Sequence, residues 1–157
     1  MIYAGTGHRP DKLGGYNPGA RAKLGAFALK TLEELAPTKV ISGMALGWDT
    51  ALADAALGLK IPLIAAVPFK GQELVWRPED QERYRAILAQ AEKVEIVCPG
   101  GYTLIKMRAR NRWMVDHADT VLALWNGDPQ GGTAQCLGYA AHAKKPVVNV
   151  WEKWRAF

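Results

Sequence analysis

Short apolar runs alternate with stretches of helical period along this chain. Met1 to Ala4 is a brief apolar run closed by Gly5-Thr6-Gly7. Val40-Ile41, Leu63 to Val67, Val94 to Val97, Val121 to Trp125 and Val147 to Val150 repeat the pattern, giving six strand candidates. Between the first two, Asn17-Pro18 supplies an N-cap and an N1 proline, and Leu24, Phe27, Ala28, Thr31 and Leu35 follow at helical spacing. A segment rich in alanine and leucine extends to about Lys60, and Pro62 resets the chain. Pro78 opens another helix, where Glu79 and Asp80 suit the positive end of the dipole and Tyr84, Ile87, Leu88 and Ala91 form the apolar stripe. Strands that are apolar throughout, each followed by a helix, predict an α/β architecture. The expected form is a Rossmann-like, doubly wound, mainly parallel sheet of about six strands with helices on both faces. With no repeat, low-complexity tract or linker, one domain is expected over residues 1–157.

Such sheets bind ligands beyond the carboxyl ends of their strands, near the point where strand order reverses. Three strand ends are candidates. At the first, Gly5 and Gly7 permit close backbone approach, Thr6 offers a hydroxyl, and His8 and Arg9 are placed to face an anion. The glycines do not fit the dinucleotide fingerprint; the alternative is a tight surface turn. At the second, Ser42, Gly43 and Gly47 precede a helix whose exposed amides would suit an anion or a ribose phosphate. Asp49 is read either as a partner for a ribose hydroxyl or a base, or as an acid that simply favours the helix start. Ser42, the only serine, lacks a nucleophile elbow and is read as a hydrogen-bonding hydroxyl. At the third, Gly131, Gly132 and Thr133 open a helix after Trp125-Asn126-Gly127, again with amides suited to phosphate, or else as a glycine turn with a threonine cap.

Charge adds a fourth feature. The 157 residues carry 20 Lys and Arg against 15 Asp and Glu, yet Lys106, Arg108, Arg110 and Arg112 fall within seven residues, and elsewhere 16 cations meet 15 acids. If helical, this segment puts Met107, Arg110, Asn111 and Met114 on one face, so Arg110 and Asn111 point inward, while Arg112 is spaced to pair with Asp116. A local basic helix beside glycine-rich strand ends favours a small anionic ligand over a long polyanion.

Other features narrow the class. Cys98 and Cys136 are too few for a disulfide framework and lie in no metal-ligand spacing, as do His117 and His142, so no metal is expected and a reducing cytoplasm is the expected compartment. No apolar run approaches the roughly 20 residues of a membrane span, and no leader is evident, so no membrane partner is expected. Trp48 and Trp125 stand at strand ends, where stacking on a base competes with the commoner role at the rim of a core.

Taken together, GTGHRP after strand one, SGMALGWD after strand two, PF after strand three, RNRWMVDHAD and the late GGT resemble the SLOG superfamily, most closely its YpsA-like branch. The resemblance implies a Rossmann-like fold that binds a nucleotide or nucleotide-derived ligand, such as ADP-ribose or a nucleoside phosphate, at these loops. A role as a sensor or regulatory binding protein follows, with no defined cofactor and homo-oligomers left open. In that reading Gly5 to Arg9, Ser42 to Gly47 and Gly131 to Thr133 contact phosphate or ribose, Asp49 takes a sugar hydroxyl, and Arg110 neutralises the anion. Two related groups imply alternatives. The lonely-guy phosphoribohydrolases cleave a base from a nucleoside monophosphate. This chain keeps Arg110 and Gly131-Gly132-Thr133 but has Ala134-Gln135-Cys136 where that group places glutamates, and Pro99-Gly100-Gly101 lies too early to substitute. Asp49 with Arg110 would then be the catalytic pair. The DNA-processing proteins carry a segment similar to Ser42 to Asp49, which implies single-stranded DNA as a third ligand class.

Overall fold

The computed structural model describes residues 1–98 and 103–157; the Pro99-Gly100-Gly101 segment lies outside them. Strands and helices alternate as β1 (Ile2–Gly7), α1 (Pro18–Leu35), β2 (Lys39–Ser42), α2 (Trp48–Gly58), β3 (Leu63–Val67), α3 (Pro78–Gln90) and β4 (Lys93–Ile96). They continue as α4 (Leu104–Asp116), β5 (Thr120–Leu124), α5 (Gly132–His142), β6 (Val147–Asn149) and α6 (Trp151–Arg155), and 3₁₀ turns occupy Pro10–Lys12 and Gln72–Val75. The start of α1 forms as its residue types dictate. The Asn17 side chain accepts from the Ala20 amide at 2.8 Å, and Pro18 fills a position that needs no amide.

All pairings are parallel and the strand order is β4-β3-β2-β1-β5-β6. The chain therefore winds outward from β1 through β4, then returns to place β5 on the other side of β1. Between β1 and β5 the helices leave in opposite directions, which opens a crevice at their carboxyl ends.

Alternation along the strands divides the core. Tyr3, Val40, Leu63, Ala65, Val67, Leu122 and Leu124 pack with Leu24, Phe27, Trp48, Leu52 and Ile87 from α1, α2 and α3. Ala4, Ile41 and Ala66 pack with Met114 of α4, and Val121 and Ala123 with Val115, Cys136 and Leu137 of α4 and α5. Fully burying one such large side chain contributes about 1.5–3 kcal/mol. The strands are not apolar on both faces throughout, however. The edge strand β4 carries Lys93 and Glu95 between its apolar residues, and Val94 and Ile96 are themselves exposed.

Gly5 and Gly7 matter to this packing. A Cβ on Gly5 would overlap Leu52, and one on Gly7 would stand 2.5 Å from Cδ1 of Trp48. The β1 glycines thus let α2 approach the sheet, whereas their sequence context suggested close approach of a ligand.

Candidate functional site

A cavity of about 290 Å³ opens at the carboxyl ends of β1 and β5. Its walls are the loop after β1, the inward face of α4 and the start of α5. Gly5, Thr6, Gly7, His8, Arg9, Asp49, Arg110, Asn111, Gly131, Gly132 and Thr133 all line it. Ser42, Gly43 and Gly47 stand outside it. Ala45, within the expected Ser42 to Gly47 segment, does line it, whereas sequence reading did not single out Asp11, Lys12, Asp128 and Gln130. Signals for them existed: Pro10 to Lys12 forms a 3₁₀ turn directly after Arg9. Asn126 and Asp128 accept in turn from the amides of Asp128 (2.9 Å) and Gln130 (3.0 Å), the local bonding that such side chains favour in turns.

The second junction serves the protein's own chain. Ser42 Oγ donates to the Asp49 carbonyl at 2.8 Å and accepts from the Met44 amide at 3.1 Å. The amide of Trp48 donates to the His8 carbonyl at 3.2 Å, and those of Thr50 and Ala51 to the carbonyls of Ala45 and Gly47. Gly43 has no room for a side chain, since a Cβ would lie 2.5 Å from Nη1 of Arg110. Its carbonyl accepts from that Nη1 and, at 3.3 Å, from Gln72 Nε2.

Arg110 is buried at the centre of a polar chain. Its Nε donates to Asn111 Oδ1 at 3.0 Å, and Asn111 Nδ2 donates to Gln135 Oε1 at 2.9 Å. The bonds from Nε to Asn111 and from Nη1 to the Gly43 carbonyl use two of the five Arg110 donors and fix its plane. Asp49 is the neighbouring carboxylate. One oxygen accepts from the Ala45 amide at 3.4 Å, while Oδ1 is buried without a partner among the described residues. Burial pushes the carboxyl up to about 6, although Arg110 pulls it down. Burial likewise lowers the Arg110 pKa, and Asp49 is the main opposing influence. The two charges attract across a gap, without direct contact, and both face the cavity.

The start of α5 is different. Gly131 provides no side-chain cap, and the first helical bond runs from the Gln135 amide to the Gly131 carbonyl at 3.1 Å. The amides of Gly132, Thr133 and Ala134 precede it, so the helix itself offers them no acceptor. Two of these residues line the cavity.

The basic helix contributes one cation to this place. Arg108 and Arg112 are exposed, Lys106 is half-buried, and only Arg110 lines the cavity. The expected pairing of Arg112 with Asp116 gives way to another arrangement. The Arg112 guanidinium lies over the Tyr139 ring, 5.3 Å from its centroid, and Asp116 accepts from the Tyr139 hydroxyl at 2.9 Å. The remaining positive charge at the cavity comes from Arg9 and Lys12, on the loop after β1.

The tryptophans at strand ends differ in burial. Trp48 is wholly buried against Phe27 and donates to the Leu122 carbonyl. Trp125 is half-buried, with its indole N–H on the Asp128 carbonyl at 2.8 Å. Among the described residues, no three metal-ligating side chains converge, both cysteines are free thiols, and no helix is long and apolar enough to cross a membrane.

The whole sheet is matched by known proteins. The chain is 33% identical over 138 residues to the SPβ prophage-derived protein YoqJ of Bacillus subtilis, covering 75% of this chain and 80% of that one. Its fold resembles DNA processing protein A of Helicobacter pylori, a protein described as binding single-stranded DNA, with a TM-score of 0.65 at 20% identity over 94% of this chain and 63% of that one. The molybdenum cofactor binding protein of Rippkaea orientalis is similar at a TM-score of 0.59 and 18% identity, over 93% and 73%. The family model described as the YspA SLOG family matches residues 4–147. From strand order, junctions and this match over nearly the full length, the chain belongs to the YspA SLOG family.

Proposed function

We propose that the chain binds a small, phosphate-bearing, nucleotide-derived ligand in the cavity between β1 and β5, acting as a sensor or regulatory binding protein. The observation that carries this reading is one cavity lined by Asp49, whose Oδ1 is buried without a partner among the described residues, by Arg110 and by the uncapped start of α5. An orphaned acceptor inside a protein costs about 1–3 kcal/mol, and a ligand hydroxyl would relieve it. The free α5 amides, Arg110, Arg9 and Lys12 then hold the anionic group. A hydroxyl placed between Asp49 and Arg110 satisfies both, because it donates to one and accepts from the other.

Thermal unfolding with AMP, ADP-ribose and a short single-stranded DNA tests the reading. A ligand at 100 times its Kd adds about 2.7 kcal/mol of stability. Saturable stabilisation by a mononucleotide or ADP-ribose is expected, weakened about tenfold by Arg9→Ala. A folded protein that responds to none of them removes the proposal, and stabilisation by DNA alone transfers the site to a polyanion.

One observation favours a second reading. A carboxyl raised to about 6 beside a buried arginine suits proton transfer, as a phosphoribohydrolase with Asp49 as the base that activates water would require. Release of free base from a nucleoside monophosphate, abolished by Asp49→Asn, is the expected result for that activity.

A further inference from the structure

The ring of His8 is held from one side by a main-chain group. The Asn126 amide donates to Nε2 at 2.9 Å, and Trp151 meets the ring edge-on at 5.7 Å between centroids. An amide N–H can only donate, so Nε2 presents its lone pair, and the proton of the neutral ring resides on Nδ1. Nδ1 has no acceptor among the described residues and is not sealed from solvent, on a residue that lines the cavity.

The peptide that imposes this choice is itself pinned. The Asn126 N–H and the Trp125 C=O belong to one planar unit and point in opposite directions. On the far side, Asn149 Nδ2 donates to that Trp125 carbonyl at 2.9 Å, while its Oδ1 accepts from the amides of Trp125 and Trp151, each at 3.2 Å. Asn149 and His8 therefore grip the same peptide from its two edges. Burial holds the ring's affinity for a second proton below that of an ordinary imidazole. The Asn126 side chain opposes it most, Lys12 acts in the same sense as burial, and Asp128 and Asp11 oppose it more weakly.

We infer that His8 meets the ligand as an uncharged hydrogen-bond donor through Nδ1–H, and that Asn149 is the positioning residue that fixes this tautomer. The ligand half of this inference rests on the site proposed above; the tautomer half concerns the free protein. The consequence is a division of labour at the anion site. Arg9, Lys12 and Arg110 supply charge, and His8 supplies direction without charge.

Long-range proton–nitrogen spectra of the full chain labelled with nitrogen-15 histidine test it, with His8→Gln assigning the signal among His8, His117 and His142. At pH 7.5 the expected pattern for His8 is Nδ1–H with Nε2 unprotonated, and AMP shifts the Nδ1 resonance. In Asn149→Ala the Nε2–H form appears and AMP binding weakens about fivefold. An Nε2–H ring in the unaltered protein overturns the inference while leaving the proposed site standing. AMP that binds without moving the Nδ1 signal overturns its ligand half. Asn149→Ala that lowers the melting temperature with the tautomer unchanged reduces Asn149 to a structural role and overturns its part. An Nδ1–H ring in a protein that no nucleotide stabilises upholds the tautomer and removes the proposed site instead.

Discussion

Gly47 opens α2 and Gly131 opens α5, each with positive φ, 91° and 98°, and each without a side-chain cap. In sequence they look alike, as glycines just before a helix behind a strand. Their surroundings are opposite. A Cβ on Gly47 would lie 2.5 Å from the His8 carbonyl oxygen and 2.9 Å from Arg9 Cα, whereas one on Gly131 or Gly132 would meet nothing within 4 Å. At α2 the His8 carbonyl accepts from the Trp48 amide, so the loop after β1 sits where an anion would bind. At α5 that place is left to the cavity. A helix start is thus a ligand site only when the protein has not filled it with a carbonyl of its own.

The largest test of this contrast is in folding. Gly47→Ala combines a strained backbone with a clash against main chain and is expected to lose at least about 3 kcal/mol. Gly132→Ala, in open space at a helical φ, is expected to change stability by no more than about 0.5 kcal/mol. Denaturant midpoints measure both, and equal losses would dissolve the distinction between a filled and an open junction.

Asp49 sharpens the comparison, because it belongs to the filled junction yet faces the cavity. Its carboxyl has an ordinary value of 3.8 and is pushed up to about 6 in the fold. The folded chain therefore holds this proton more tightly than the unfolded one. The resulting stability is complete below 3.8 and is lost as pH rises through 6. Relative to Asp49→Asn, the unaltered protein is expected to gain on the order of 2 to 3 kcal/mol between pH 7 and pH 4. The lowered His8 pKa acts in the opposite direction but is common to both proteins and cancels in their difference. A difference that stays flat with pH would mean that Asp49 is not desolvated by the cavity wall.

Much of this arrangement was legible from local pattern. Asn17-Pro18 named the start of α1, and the period of Met107, Arg110, Asn111 and Met114 named the inward face of α4, where Arg110, Asn111 and Met114 are buried. Parallel strands separated by helices implied a crevice at the carboxyl ends. What stayed hidden depends on partners distant in sequence. Gly43 is small because Arg110, 67 residues later, lies against it. Gly5 and Gly7 are small because α2 must reach the sheet. The helical period also separated Arg110 from the other cations of its run, and of those four only Arg110 lines the cavity. Lys12 and Asp128 reach the site from turns that sequence reading passed over as connections.

The smallest expected effect separates the two helix starts most directly. Gly132 is the first residue of α5, a position where proline fits, because its φ is helical and no helix bond is lost. The preceding Gly131 keeps its positive φ because it stays glycine, and its ψ of 178° lies outside the α region that a following proline ring disfavours. Gly132→Pro therefore removes one amide from the cavity while leaving the helix intact. Stability is expected to stay within about 0.5 kcal/mol, and affinity for whichever of AMP or ADP-ribose stabilises the protein is expected to fall about tenfold, or about 1.4 kcal/mol, the scale of one hydrogen bond to a charged group. Calorimetric titration beside a denaturant curve reads both quantities. An unchanged affinity would mean that the α5 amides face solvent without holding the anion, leaving Arg9, Lys12 and Arg110 to bind it by charge alone.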